Sequence, residues 1–122
     1  MLLAKKSTIL VIDGNRSILR VFRRLLEKNG YQVVTAETGK EAVEKLHCTC
    51  FDAALVDLEL PDIEGTSFLF EIKKMTPETV KIIFNGLRNL DDDDCREVFL
   101  EKPVLPTKLL TVIDAKLQET KQ

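Results

Sequence analysis

The sequence predicts an α/β protein in three layers, a five-stranded parallel sheet wound on both faces by helices. Two observations carry this. Short apolar runs alternate, from end to end, with segments whose apolar residues recur at helical spacing. Three of the runs also end in a charged residue: Asp13 after Ile9-Leu10-Val11-Ile12, Asp57 after Ala53-Ala54-Leu55-Val56, and Lys102 after Val98-Phe99-Leu100-Glu101. Open α/β proteins place ligand chemistry at the carboxyl ends of their strands. Two acids and a lysine should therefore converge on one small crevice. That set suits a metal and a phosphoryl group better than an organic substrate.

Strand one spans Thr8 to Asp13. A helix follows from about Arg16 to Asn29, with Ile18, Leu19, Phe22, Leu25 and Leu26 as its inward stripe, Asn15 as N-cap and Gly30 as a left-handed stop. Strand two is Tyr31 to Thr35, and helix two runs from about Gly39 to His47 with Ala42, Val43 and Leu46 inward. Strand three is Asp52 to Asp57; helix three covers roughly Thr66 to Lys74 and buries Phe68, Leu69 and Ile72. Strand four is Val80 to Phe84 or Asn85, strand five is Glu97 to Glu101, and a last helix from about Thr107 to Glu119 buries Leu109, Leu110, Ile113 and Leu117. Asn85 and Lys102 are only 17 positions apart. A crossover helix with its loops needs about a dozen residues, so the fourth crossover helix is shortened to a turn or two near Leu90 to Arg96, or is irregular.

The 122 residues suffice for one domain with a real core, and no linker or repeat divides them, so a single domain over 1–122 is expected. Hydrophobic content of 44% with 31% charged residues is that of a soluble globular chain. A net charge of −2 gives no electrostatic footprint for nucleic acid or an anionic membrane. The start, Met1-Leu2-Leu3-Ala4-Lys5-Lys6, lacks a signal-peptide core, and no run is long enough to span a membrane. Three cysteines form no disulfide framework, and a cytoplasmic location is expected.

With the elements placed, Ile9-Leu10-Val11-Ile12-Asp13, the stretch Leu55-Val56-Asp57-Leu58-Glu59-Leu60-Pro61-Asp62-Ile63-Glu64-Gly65, and Glu101-Lys102-Pro103 resemble the marks of response-regulator receiver domains. The resemblance covers nearly the whole chain and is most specific from Asp57 to Gly65. It implies the flavodoxin-like receiver fold and a signalling role, not an enzyme: phosphate accepted on Asp57 from a histidine kinase or histidine-phosphotransfer protein, with Mg²⁺. By position, Asp57 would be the phosphoacceptor, and Asp13, Asp57 and Glu59 (through its backbone carbonyl) the metal ligands. Lys102 would contact Asp57 at rest and phosphate after transfer. Asn85 would be the phosphate-binding residue at the end of strand four, Phe99 the switch aromatic, and Lys102-Pro103 a cis peptide. A downstream protein or a second copy of the chain would read the output.

Three positions depart from the family pattern. Receiver domains carry two adjacent acids after strand one, and here the second is Gly14. Loss of that acid weakens attraction for a divalent cation, leaving Asn15 or the Glu59 side chain as the nearest compensating donors. The family's Ser or Thr at the end of strand four is Asn85, whose amide still donates hydrogen bonds. The shortened fourth crossover alters the face that such domains use for output.

Plainer readings stand beside these. Asn85-Gly86 is a strong turn dipeptide. His47-Cys48-Thr49-Cys50 has metal-like spacing but too few partners for zinc, so buried or partly buried thiols at a helix end are expected. Asp91 to Asp94 lacks the alternation of a calcium loop and reads as a solvated acidic turn. Two alternatives to the phosphoacceptor remain. One is a pseudo-receiver, an interaction module acting without phosphate. The other, less favoured, is a small metal-dependent phosphatase or nucleotide-binding protein, for which neither phosphate-binding glycine motif appears.

Overall fold

The computed structural model describes residues 7–85 and 96–120. Within them the order is β1 (Thr8–Ile12), α1 (Arg16–Lys28), β2 (Gln32–Ala36), α2 (Gly39–Cys48), β3 (Ala53–Asp57), α3 (Gly65–Met75), β4 (Val80–Phe84), β5 (Glu97–Leu100) and α4 (Pro106–Thr120). All strand pairs are parallel and the sheet order is β2-β1-β3-β4-β5. This is the doubly wound α/β architecture that the alternation of patterns predicts. The chain reverses its winding direction between β1 and β3, so a crevice opens at the carboxyl ends of those two strands.

Two apolar layers flank the sheet. Ile9, Val11, Leu55, Ile82 and Phe84 face one layer and pack with Leu19, Phe22 and Leu26 of α1 and Leu109, Ile113 and Leu117 of α4. Leu10, Ile12, Ala54 and Val56 face the other and pack with Ala42, Phe68 and Ile72. Covering on both faces explains why β1 and β3 read as unbroken apolar runs instead of alternating ones. Ile18, Leu25, Val43, Leu46, Leu69 and Leu110 lie at the margins of their helical stripes and are only partly buried. Lys81 on β4 breaks the apolar pattern in the middle of the sheet, being only 1% exposed.

Local chemistry sets the helix starts. The Asn15 side chain accepts from the Ser17 and Ile18 amides, Thr38 caps α2 through Glu41, and Glu64 caps α3 through Thr66 and Ser67. Glu64 is held down to a pKa of about 2 by the amides of Ser67 and Thr66. Gly30 ends α1 with φ 93°.

The thiol reading needs correction. α2 runs one residue further than predicted, to Cys48, and both Cys48 and Cys50 are exposed, because none of the described residues covers that helix end. The short helix predicted near Leu90 to Arg96 and the acidic run Asp91 to Asp94 fall outside the described residues, apart from Arg96, which lies in the turn before β5.

Candidate functional site at the carboxyl edge of the sheet

Asp57 is the last residue of β3, and Asp13 directly follows β1. Both side chains stand at the crevice, yet they are only 6% and 4% exposed. The Asp13 amide continues the sheet ladder by donating to the Ala36 carbonyl at 3.1 Å, which pins Asp13 at the strand end. The Leu58 amide does the same for Asp57, donating to the Phe84 carbonyl at 3.1 Å.

Lys102 reaches in from the loop after β5. Its ammonium donates to Asp57 Oδ2 at 2.7 Å and also to Asp13 Oδ2. It lies 5.4 Å above the Phe84 ring centroid, a further cation-stabilising contact. Sequence reasoning paired Lys102 with Asp57 alone, whereas the structure shows one lysine shared by both acids. The Lys102-Pro103 peptide is cis.

The second oxygen of Asp57 is held as well. Oδ1 accepts from the Glu59 amide at 2.9 Å and from the Asn85 side-chain amide at 2.8 Å. Asn85 sits in the left-handed region, φ 60°, which Asn tolerates better than most residues. With this backbone its side-chain amide reaches the Asp57 carboxylate, while the Asn85-Gly86 turn lies partly outside the described residues. Burial by itself would raise the Asp57 pKa. Hydrogen bonds from Lys102, Asn85 and the Glu59 amide outweigh it and hold the carboxyl below its ordinary value. Burial likewise disfavours the charged form of Lys102, and its bonds to Asp13 and Asp57 overcome this and raise its pKa.

The residues meet a dication's needs in chemistry but not in number. Two buried carboxylates and a nearby carbonyl are hard oxygen donors of the type Mg²⁺ takes. Among the described residues, however, no three acidic, His or Cys side chains are grouped to hold a metal. Glu59 is exposed. Gly14 leaves a gap where a side chain would stand: a Cβ built there meets Pro61 Cδ at 3.4 Å and the Glu59 and Glu37 carbonyls at 3.9 Å. The donor oxygens therefore fit Mg²⁺ in kind, and Lys102 bonds both of the acids that would hold it.

Phe99 is partly buried on β5 in register with Ile83. Sequence reading overlooked Asp62, which lies in the loop carrying Glu59. Its carboxylate accepts from the Gly39 amide at 2.8 Å and the Lys40 amide at 3.0 Å, tying that loop to the start of α2. These amide bonds hold the Asp62 pKa down. The residue sits inside the most family-specific stretch, but nothing local in the sequence says which helix it caps.

The family model for the response regulator receiver domain matches residues 9–114. The chain belongs to that family. It is 29% identical over 121 residues to the transcriptional regulatory protein GlrR of Escherichia coli, covering 95% of this chain and 27% of that regulator's length. A 68-residue stretch is 38% identical to probable histidine kinase 6 of Oryza sativa subsp. japonica, covering 55% of this chain and 7% of the kinase. Among solved structures, a CheY-like receiver domain protein from Methanospirillum hungatei superposes with TM-score 0.85 at 33% identity, over 96% of this chain and 98% of that one. This chain is thus a receiver domain of the two-component type. Such domains are signalling modules, generally not enzymes, and work with histidine kinases or phosphotransfer proteins. Among the described residues no helix is long and apolar enough to cross a membrane.

Proposed function

We propose that this receiver domain accepts a phosphoryl group on Asp57 in a cytoplasmic phosphorelay. The observation that carries the reading is the state of Asp57, a buried carboxylate held ionised by donors on both oxygens. A carboxylate oxygen attacks phosphorus in line, the bond from phosphorus to the donor's histidine nitrogen breaks, and an acyl phosphate remains. The Lys102 ammonium and the Asn85 amide are in reach of the phosphoryl oxygens that gain charge. Asp13 helps keep Lys102 in place. Mg²⁺, when bound by Asp13, Asp57 and the Glu59 carbonyl, would neutralise phosphoryl charge further.

The donor protein needs a surface beside the crevice. A cavity of about 460 Å³ lined by Ile18, Val21, Phe22, Pro103 and Val104 adjoins Lys102 and supports docking of a histidine kinase or phosphotransfer protein there. Phe99, one strand over from Asn85, would be the switch aromatic, with a downstream protein or a second copy as the reader. Incubation with Mg²⁺ and acetyl phosphate should add one phosphoryl mass to the intact protein, and Asp57→Asn should abolish it. No mass gain across millimolar Mg²⁺ would sink this reading.

A second reading rests on Gly14 and on the engagement of both acids by Lys102. In it the domain is a pseudo-receiver whose partner recognises a fixed surface. It predicts that Asp57→Asn leaves partner affinity unchanged, and a large loss of affinity counts against it.

A further inference from the structure

The buried charges at the opposite edge of the sheet have no part in the phosphoryl reading. Lys81 donates from its ammonium to the carbonyls of Thr76 at 2.6 Å and Thr79 at 2.8 Å. Thr76 is the C-cap of α3, so the cation rests on the negative end of that helix. Directly across the β4–β5 ladder from Lys81 stands Glu97, and the Lys81 amide donates to the Arg96 carbonyl at 2.8 Å. The Glu97 side chain is only 3% exposed and meets the Lys73 ammonium, from the last turn of α3, at 3.0 Å.

An apolar sheet interior does not need such groups for stability. Buried ion pairs are often no better than well-packed hydrophobic residues, and their best-attested use is to specify register. The strand they hold is the one whose register is least determined by packing. β5 is an edge strand of four residues, all only partly buried. Its apolar pattern is also degenerate. If β5 slid two residues along β4, Leu100 would replace Val98 beside Ile82 with its face unchanged. The ionic row does not tolerate that slide. Phe99 would come opposite the Lys81 ammonium, Glu97 would leave Lys73, and Glu101 would face Ile83.

We infer that Glu97, bridged to Lys73 and set beside Lys81, is a positioning residue that locks β5 in register and thereby delivers Lys102 to Asp57 and Asp13. A two-residue slip moves the strand by about 6.6 Å. Lys102 follows β5 by two residues, so the slip withdraws its ammonium from the crevice. The inference touches the proposed phosphoryl chemistry through Lys102, but the register itself does not depend on that chemistry.

The test compares Glu97→Leu with Glu97→Gln in the full chain. Leucine removes the carboxylate while Lys81 keeps its two carbonyls and Lys73 can turn to solvent. Glutamine keeps an oxygen beside the Lys73 ammonium. NMR cross-strand contacts read the register: Ile82 to Val98 in the native alignment, Ile82 to Leu100 in the slipped one. Glu97→Leu is expected to show both contact sets and a loss of the Lys102–Asp57 contact, and Glu97→Gln a single native set. A single native set with an intact Lys102 contact in Glu97→Leu overturns the inference. Should Glu97→Leu not fold, Lys73→Met breaks the same bridge from the helix side and is held to the same two outcomes. None of these readouts requires Asp57 to react, so an unphosphorylatable domain leaves the test intact.

Discussion

The two loops that frame the crevice are built to different standards. The β3–α3 loop is fixed at every stage. Its Glu59 amide bonds Asp57, Asp62 caps α2, Glu64 caps α3, and Gly65 lies so close to Leu58 that a Cβ would come within 2.5 Å of the Leu58 carbonyl oxygen. The β1–α1 loop has its Asn15 cap and an Asn15 amide on Asp13 at 2.9 Å, but between them is Gly14, with a gap in place of a side chain. The loop that shapes the nucleophile is complete, and the loop that should supply a second acid is not. Backbone scaffolding and ligand chemistry have been separated. In this pocket Lys102 supplies the positive charge that balances the acids.

Removing that charge should have the largest effect. In Lys102→Met two buried carboxylates lose their cation, which should cost about 3 kcal/mol near neutral pH. The pH dependence sharpens the point. Asp57 has a lowered pKa, so its contribution is present above the ordinary carboxylate range and lost as pH falls through its folded value, below about 4. Lys102 has a raised pKa, so its contribution persists through about pH 10 and is lost as pH rises through its folded value. The gap between wild type and Lys102→Met in denaturant titrations should be widest between those limits and shrink on acidification. A gap that stays constant down to pH 3 would mean that the lysine acts through packing and not charge.

Filling the gap should come next in size. Gly14 does not have a left-handed φ, and its nearest neighbours leave ordinary contact distance for a Cβ. Gly14→Asp should therefore fold normally and place a third acid in the crevice. Each added unit charge near a cation is worth a few kcal/mol at surface dielectric values, most of it offset by dehydration and by competition from Lys102. Roughly tenfold tighter Mg²⁺ binding, about 1.4 kcal/mol, is the expected outcome in a residue-resolved titration. Unchanged affinity would show that Lys102, not the missing acid, limits the metal.

Much of this was legible in the sequence, for identifiable reasons. Strands buried on both faces announce themselves as continuous apolar runs, and their charged terminal residues mark the crevice before any coordinates exist. The fold class followed directly, and the doubly wound sheet matches it. What was hidden depends on contacts between segments far apart in the chain. The sharing of Lys102 by Asp13 spans 89 positions, and the seat of Asp62 on α2 spans 22 and 23. The exposure of Cys48 was misread because cysteine is usually buried, and the local pattern does not reveal that the end of α2 stands uncovered among the described residues. Lys81 gave a signal that went unused: a lysine inside Val80-Lys81-Ile82-Ile83-Phe84 requires a buried partner.

Asp62 gives the finest test of the difference between the loops. Its carboxylate spans two orphan amides at the start of α2, so Asp62→Ala should cost about 1 kcal/mol, as lost helix caps do. Asp62→Asn, which keeps one acceptor oxygen, should cost less. The informative measurement is where the disturbance travels. If Asp62 merely ends a helix, amide exchange should quicken only around Gly39 to Ala42. If it braces the whole loop, exchange should also quicken at the Glu59 amide, nearer the nucleophile than the helix. The loop from Glu59 to Glu64 has no strand or helix of its own, and between its bond to Asp57 and the cap on α3 its polar anchor among the described residues is this carboxylate. The second pattern is therefore expected. Protection at Glu59 that survives Asp62→Ala would show that Gly65 and the Glu64 cap hold the loop without it, and that its rigidity comes from packing against Leu58.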